Sequence, residues 1–427
     1  MKIGIHFNSR HLGEWSWQSV AARQLPVSGT DALSLFLAQR LGSSGIDLRL
    51  YSTRIGEGLS PCPQSVAESL EVAVEAARSD GCDLLIFNST GGEETIAGLK
   101  ACRRVHQRCV VVDHNGPAPA IGDVLAACPE VLRVVCVSRS QADCIRDQRA
   151  FAKVEVIGNP LLASLGPAVN PREELSVAFL GALTPSKGFH HLAAAWPSVR
   201  SVLPQARLYV IGSARLYERE QELGPLGIAE EQYERALIVP HLGNSALEAA
   251  SRGVTFLGLL SPGEVEARLR RVSVCVVNPN CRTSQETFCV SAIEASACGA
   301  AVIGARYGGL TETVLHGRTG MLIRKERELA GAIVELLRQP MQARQMGQNG
   351  RDHVERSFAP ERIVDEWRLL IARSLAGQPA VPPSFRPDSG LRTYARQAVR
   401  LARTLPGLGA LPSLRGMRAA LRRSGRK

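Results

Sequence analysis

Residues 275–309 read CVVNPNCRTSQETFCVSAIEASACGAAVIGARYGG. An apolar strand ends at Val277, and a loop follows with Asn278, Pro279 and Asn280. Glu286 then precedes a helix expected from about Phe288 to Cys298, which Gly299 closes as a C-cap. A second strand, Ala301–Ile303, leads into Gly308 and Gly309. Strand, loop, helix and strand in that order make a unit of parallel sheet. In open parallel sheets, ligands bind where strand carboxyl ends face helix N-termini. Glu286 stands at that edge. Glu294 lies eight residues on, about two turns further along nearly the same face. Carboxylates so placed suit a hydroxyl-rich ligand, because they accept charge-assisted hydrogen bonds from sugar and ribose hydroxyls. The helix N-terminus and the Gly308–Gly309 amides suit phosphate. Read alone, Glu286 is a helix cap and Glu294 a solvated helix residue. The helix around Glu294 is instead small and apolar (Val290, Ile293, Ala295, Ala297, Cys298), and a carboxylate there needs a partner.

Outward from this block, apolar strands alternate with amphipathic stretches. In the first half the strands are Lys2–Phe7, Asp47–Tyr51, Asp83–Phe87, Cys109–Asp113, Val134–Val137 and Val154–Ile157. Helix-like stretches such as Asp31–Leu41 and Val66–Ser79 lie between them. A Pro- and Gly-bearing linker covers 159–173, and the alternation restarts with Ser176–Leu180, Arg207–Ile211, Thr255–Leu257, Val274–Val277 and Ala301–Ile303. Such alternation predicts α/β halves with doubly wound parallel sheets. The expected organisation is a Rossmann-like domain over 1–165 and a second over 174–358. A closing helix over 359–375 follows, then a Pro-rich linker and basic tail over 376–427. Gly377–Pro387 reads as loose chain.

The 427 residues are 45 % hydrophobic and carry a formal charge of +11. Nine Arg and one Lys, with no acid, lie in 391–427, leaving the rest near neutral. That argues against a nucleic-acid-binding body. Eleven cysteines form no CxxC pair and are odd in number, which fits a reducing cytosol and neither disulfides nor a zinc site. No signal peptide opens the chain and no apolar run spans a membrane. In the tail, Arg392, Arg396, Arg400 and Arg403 share one helical face. Leu391, Tyr394, Ala395, Ala398, Leu401 and Ala402 lie largely opposite. A basic amphipathic helix of this kind suits an anionic membrane surface, and a solvated disordered tail is the other reading.

The 275–309 block resembles the donor site of family 4 glycosyltransferases, the retaining "group 1" enzymes of the GT-B fold. Their signature is a Glu, seven residues, a second Glu, a small-residue helix end and a Gly-Gly turn bearing a Glu. Glu286, Glu294, Gly299, Gly308, Gly309 and Glu312 stand at matching positions. The resemblance implies that Glu286 holds the donor sugar hydroxyls and Glu294 the nucleotide ribose, with the amides of Thr287, Phe288, Cys289 and Val290 near the sugar and diphosphate. VAFLGALTPSKGFHHLAAAW (177–196) is similar to the opening of the family's second domain. There Gly181 forms the strand-end turn, and Lys187 matches the lysine that pairs with the diphosphate. PQARLYVIGSA (204–214) matches the following strand with its Gly212 turn. In 25–41, Gly29 matches the glycine turn ahead of the first helix, and a plain turn glycine remains the other reading. His114, in VVVDHNGP, ends a strand where the family often has a histidine near the transferred sugar, though a lone strand-end histidine is commonly a local hydrogen-bonding group. The family's strand-end arginine is Ala182 here, leaving Arg282 as a substitute cation. Ser28 and Cys289 stand where the family often has Gly, and Ala301 where it has Pro.

The fold implied is GT-B, with two Rossmann-like domains facing across a cleft. The implied activity is that of a retaining hexosyltransferase (EC 2.4) moving a sugar from a nucleotide-diphosphate donor to a hydroxyl acceptor, a glycan or lipid-linked glycan, in cell-surface polysaccharide or glycolipid synthesis. No cofactor and no metal are expected. The expected location is cytoplasmic, with the tail at the inner face of the membrane. A weak nucleotide-sugar-binding protein, or an epimerase or phosphorylase on the same fold, is the alternative.

Overall fold

Cys109–Asp113 and Ser176–Leu180 are buried at every residue. Continuous Val, Ala and Phe runs are what a strand covered on both faces requires. Each is the interior of one parallel sheet. The computed structural model describes residues 1–25, 27–90, 92–115, 119–162, 172–216, 220–281, 286–385, 390–409, 411–414 and 416–417. Arg282 lies outside the described residues.

The first sheet contains β1 (Lys2–Phe7), β2 (Asp47–Ser52), β3 (Gln64–Val66), β4 (Leu84–Ser89), β5 (Cys109–Asp113), β6 (Val131–Cys136) and β7 (Val154–Val156), in the order β3-β2-β1-β4-β5-β6-β7. The second contains β8 (Ser176–Leu180), β9 (Arg207–Ile211), β10 (Val254–Gly258), β11 (Val274–Val276), β12 (Ala301–Ala305) and β13 (Gly320–Ile323), in the order β10-β9-β8-β11-β12-β13. Neighbouring strands pair in parallel throughout, as between β1 and β4 and between β8 and β11. The winding reverses at β1/β4 in one sheet and β8/β11 in the other, and those are the points where such sheets bind ligands.

Two compact units result: Met1–Glu14, Thr30–Gly158 and Ile363–Lys427 form one, and Trp15–Gly29 with Asn159–Arg362 form the other. The division falls between Gly158 and Asn159, and residues 15–29 belong to the second unit. The Pro360–Leu375 helix begins in the second unit, and from Ile363 it lies in the first, with Ile363, Trp367, Leu370 and Ile371 buried.

The chain after this helix is pinned to the first unit, which corrects the expectation of a loose linker. Buried Arg133 donates from Nε to Glu155 at 2.8 Å and from Nη2 to the Gln378 carbonyl at 2.6 Å. Val381 N–H donates to Glu155, and Arg146 to the carbonyls of Pro383 and Ser384. The tail then forms a helix, Gly390–Ala402. Its arginines turn inward. Arg396 donates to the Asp143 carbonyl at 3.4 Å and lies 3.9 Å from the buried Asp147 carboxylate. The Arg400 guanidinium stacks 4.5 Å from the Phe151 ring centre, and Arg403 donates to the Asp147 carbonyl. Leu414 N–H donates to the Asp147 carboxylate at 2.6 Å. The basic face expected to meet a membrane is therefore largely engaged by the protein itself.

Candidate functional site

In the second unit, β11 ends at Val276 and the chain turns at Asn278, whose φ is +34°. The Asn278 loop is stapled to the loop after β8. Asn280 Nδ2 donates to the Pro185 carbonyl at 3.2 Å. Gly188 (φ +72°) comes so close that a Cβ there would stand 2.8 Å from Asn280 Cβ. This staple brings Lys187 to Glu286, 99 positions apart in sequence, with Nζ donating to Oε2 at 2.8 Å. Asn278 Nδ2 donates to the same oxygen at 2.8 Å. Glu286 is buried. Burial alone would push its carboxyl up. The Lys187 ammonium, the Asn278 amide and the Phe288 N–H outweigh burial and hold it below the ordinary carboxylate range. The charge is kept by partners, as a buried carboxylate requires.

The turn after Glu286 is braced from behind. Gly309 N–H donates to the Glu286 carbonyl at 2.7 Å. A Cβ on Gly308 would stand 2.1 Å from that carbonyl oxygen, and one on Gly309 would stand 2.2 Å from the Thr287 carbonyl oxygen. The sequence offered the Gly308–Gly309 amides to phosphate, but in the structure the Gly309 amide is spent on the Glu286 turn. The Phe288 N–H is likewise directed to the Glu286 carboxylate, and its ring is buried edge-on to Phe358, 5.2 Å between centres. Gly181 and Gly212 show the same pattern. Their N–H groups donate to Ile211 and Gly258, and a Cβ on Gly212 would stand 2.0 Å from the Gly181 carbonyl oxygen. Gly212 lets the two strand ends approach each other. Ala182 is buried at this edge and offers no cation.

The Val290–Ala297 helix starts at Cys289 with no side-chain cap among the described residues, and the N–H groups of such a helix end can serve an anionic ligand. Cys289 itself takes φ +74°, a left-handed conformation that glycine adopts without strain. That is a physical reason for a glycine to be common at this position among the chains it resembles. Glu294 lies on the same helix. Crowding by its surroundings pushes its carboxyl up to about 7, with the Arg23 guanidinium acting in the opposite direction.

Arg23, also at positive φ, belongs to the Trp15–Gly29 segment of the second unit and hydrogen-bonds Glu266 on the Pro262–Leu269 helix. Gly29 ends this segment, and a Cβ there would stand 2.9 Å from Val290 Cγ2. The sequence placed Asn278 in the loop without a role in the site and singled out neither Arg23 nor Glu266. Asn278 carried a signal, a polar residue directly after an apolar strand at a switch point. Arg23 carried none, since its partners are more than 200 positions away.

His114 lies in the first unit, just past β5. It is buried, its Nε2 has no hydrogen-bond partner among the described residues, and burial lowers its pKa to about 4 against the pull of Asp31. His11 Nε2–H donates to the Asp31 carboxylate at 2.9 Å in the tautomer that carries the proton there. Among the described residues no group of three or more His, Cys, Asp or Glu is placed to hold a metal ion.

Residues 167–353 match the family model of group 1 glycosyl transferases. Over these residues the chain is similar to group 1 glycosyl transferases. Over 223 residues it is 31 % identical to the D-inositol 3-phosphate glycosyltransferase of Segniliparus rotundus, covering 52 % of this chain and 44 % of that protein. Over 209 residues it is 30 % identical to the GDP-mannose-dependent alpha-(1-6)-phosphatidylinositol monomannoside mannosyltransferase of Mycobacterium tuberculosis, covering 47 % and 46 %. The chain thus matches less than half the length of these curated relatives. Among solved structures, sucrose-phosphate synthase from Thermosynechococcus elongatus aligns with TM-score 0.65 and 20 % identity, over 88 % of this chain and all of that one. Anabaena HepE in complex with UDP-glucose aligns with TM-score 0.64 and 18 % identity, over 87 % and 99 %. The two-sheet α/β architecture is the GT-B fold.

Proposed function

We propose that the protein transfers a hexose from a nucleotide-diphosphate donor to a hydroxyl of a glycan or lipid-linked glycan, with retention of configuration and without a metal. The observation that carries this reading is the Lys187–Glu286–Asn278 cluster at the β8/β11 switch point, beside an uncapped helix N-terminus. A carboxylate kept ionised in a buried site is an orienting acceptor for sugar hydroxyls. A lysine and helix-end amides supply what a departing diphosphate needs. Glu294, two turns along the helix, accepts from the ribose. In the transfer, the anomeric carbon–oxygen bond to the diphosphate breaks and the acceptor oxygen bonds to that carbon on the same face. The acceptor proton passes to the departing phosphate oxygen. Lys187 offsets the charge that develops there, and Glu286 fixes the sugar.

The relatives named for inositol phosphate and phosphatidylinositol mannoside chemistry support an acceptor of glycolipid kind. The test is slow hydrolysis or transfer from UDP- and GDP-sugars by the full chain. A Glu286→Ala protein is expected to lose turnover by about a hundredfold or more. Unchanged turnover would remove Glu286 from the reaction. The second reading, a binder with weak turnover, is favoured by Ala182, and a donor that binds without being consumed would select it.

A further inference from the structure

The Gly390–Ala402 helix is amphipathic in an unusual orientation. With Arg396, Arg400 and Arg403 drawn onto Asp143, Asp147 and Phe151 of the first unit, the opposite face is left to solvent. Leu391 is 88 % exposed, Leu401 56 % and, just beyond the helix, Leu405 55 % and Leu408 39 %, while Tyr394, edge-on to Phe385, is 44 % exposed. Ala395 and Ala398 lie exposed between them. An exposed run of large apolar side chains on one face marks a contact surface.

We propose that this outward apolar stripe, and not the arginine face, is a docking surface for the headgroup–acyl boundary of an anionic lipid bilayer. The charge of this stretch of sequence selects the occupant: residues 391–427 carry nine arginines and one lysine and no acid. Arg392 is exposed at the edge of the stripe. A second copy seated on the stripe by symmetry would set like charges against like. An anionic surface is complementary to them, at short range and in a salt-dependent way. The helix has 13 residues, about 20 Å, too short to cross a hydrocarbon core of about 30 Å. It therefore lies in the interface plane with its leucines inserted. The Asp147 contacts give the stripe a fixed direction relative to the first unit, so that docking orients that unit at the surface as well as attaching it. This goes beyond the transfer reading and does not depend on it.

The test is flotation of the full chain with vesicles of phosphatidylglycerol and phosphatidylcholine, beside vesicles of phosphatidylcholine alone. The full chain is expected to float with the anionic vesicles and far less with the zwitterionic ones. The triple substitution Leu391→Ser, Leu401→Ser, Leu405→Ser is expected to lower anionic partition by about tenfold or more. Its thermal shift with nucleotide sugars is expected to be unchanged, which keeps docking separate from donor binding. The proposal is overturned if the triple variant floats like the parent, if both vesicle types bind equally, or if sedimentation shows a lipid-free dimer that the triple substitution dissolves.

Discussion

Glu286 and His114 are both buried polar residues beyond a strand end, one in each unit, and they are held in opposite ways. Glu286 stays charged because Lys187, Asn278 and the Phe288 N–H all converge on it. His114 is given no partner at Nε2 among the described residues and stays neutral, its pKa lowered to about 4. The contrast sets an ionised group in the second unit against a neutral one in the first. Burial therefore does not decide charge state by itself. The number of partners converging on the buried group does.

The most forceful way to break this comparison is Lys187→Ala. It would leave Glu286 buried with its main counter-charge gone, costing about 3 kcal/mol of stability and lowering turnover by roughly 10²–10³. Denaturant melts and donor turnover read both, and a variant with parental values in each would show that the pair is ornamental. In the first unit the corresponding test is acid. His114 and His6 both have pKa values lowered to about 4 by burial, from 6.5. Between those values the unfolded chain binds more protons than the folded one, so stability falls as pH drops from 6.5 to 4, by about 3 kcal/mol per group. Urea midpoints measured across that range should decline, and His114→Gln should flatten part of the slope. Glu294, raised to about 7, acts in the opposite direction over this range, so a profile that His114→Gln leaves unchanged would mean that His114 is solvated.

A smaller effect probes the brace behind Glu286. Gly309→Ala sets a Cβ into the Thr287 carbonyl at 2.2 Å, and the turn must move. About 2 kcal/mol of stability and a several-fold loss of donor affinity are expected in calorimetry. Parental affinity would show that the turn is not part of the donor site. The smallest effect concerns Glu294, whose carboxyl sits at about 7. Below that pH it is protonated and a poorer acceptor for ribose hydroxyls. Donor affinity should therefore rise as pH goes from 6 to 8, by up to about tenfold. Arg23→Ala should move the midpoint upward, because Arg23 favours the charged form. Glu294→Gln should remove the dependence, and a slope that survives this substitution would place it elsewhere.

Much of this was readable in advance where the signal is local. The strands with continuous apolar runs, such as Cys109–Asp113 and Ser176–Leu180, were found at the same residues. β3 and β13 were not, because QSV and GMLI are short and lack a distinctive pattern. The Glu286–Glu294 spacing pointed to the site, as both residues lie on one loop–helix unit. What it did not reveal was the use of the glycines. Gly181, Gly212 and Gly309 present amides on paper, and only the fold shows those amides committed to neighbouring backbone. The tail was legible as an amphipathic helix but not in its direction, since the buried Asp147 that draws the arginines inward lies about 250 positions earlier in the chain.

The central claim is that Glu286 and Lys187 form the sugar-and-diphosphate end of a nucleotide-sugar site. Its most direct test is a thermal-shift titration of the full chain with UDP- and GDP-sugars, run beside Glu286→Ala. A matching donor at 100 times its dissociation constant should stabilise the parent by about 2.7 kcal/mol. The variant should retain the shift given by the free nucleoside diphosphate and lose the increment due to the sugar. If the parent shifts with no nucleotide sugar, or if the variant keeps the sugar increment in full, the claim is contradicted.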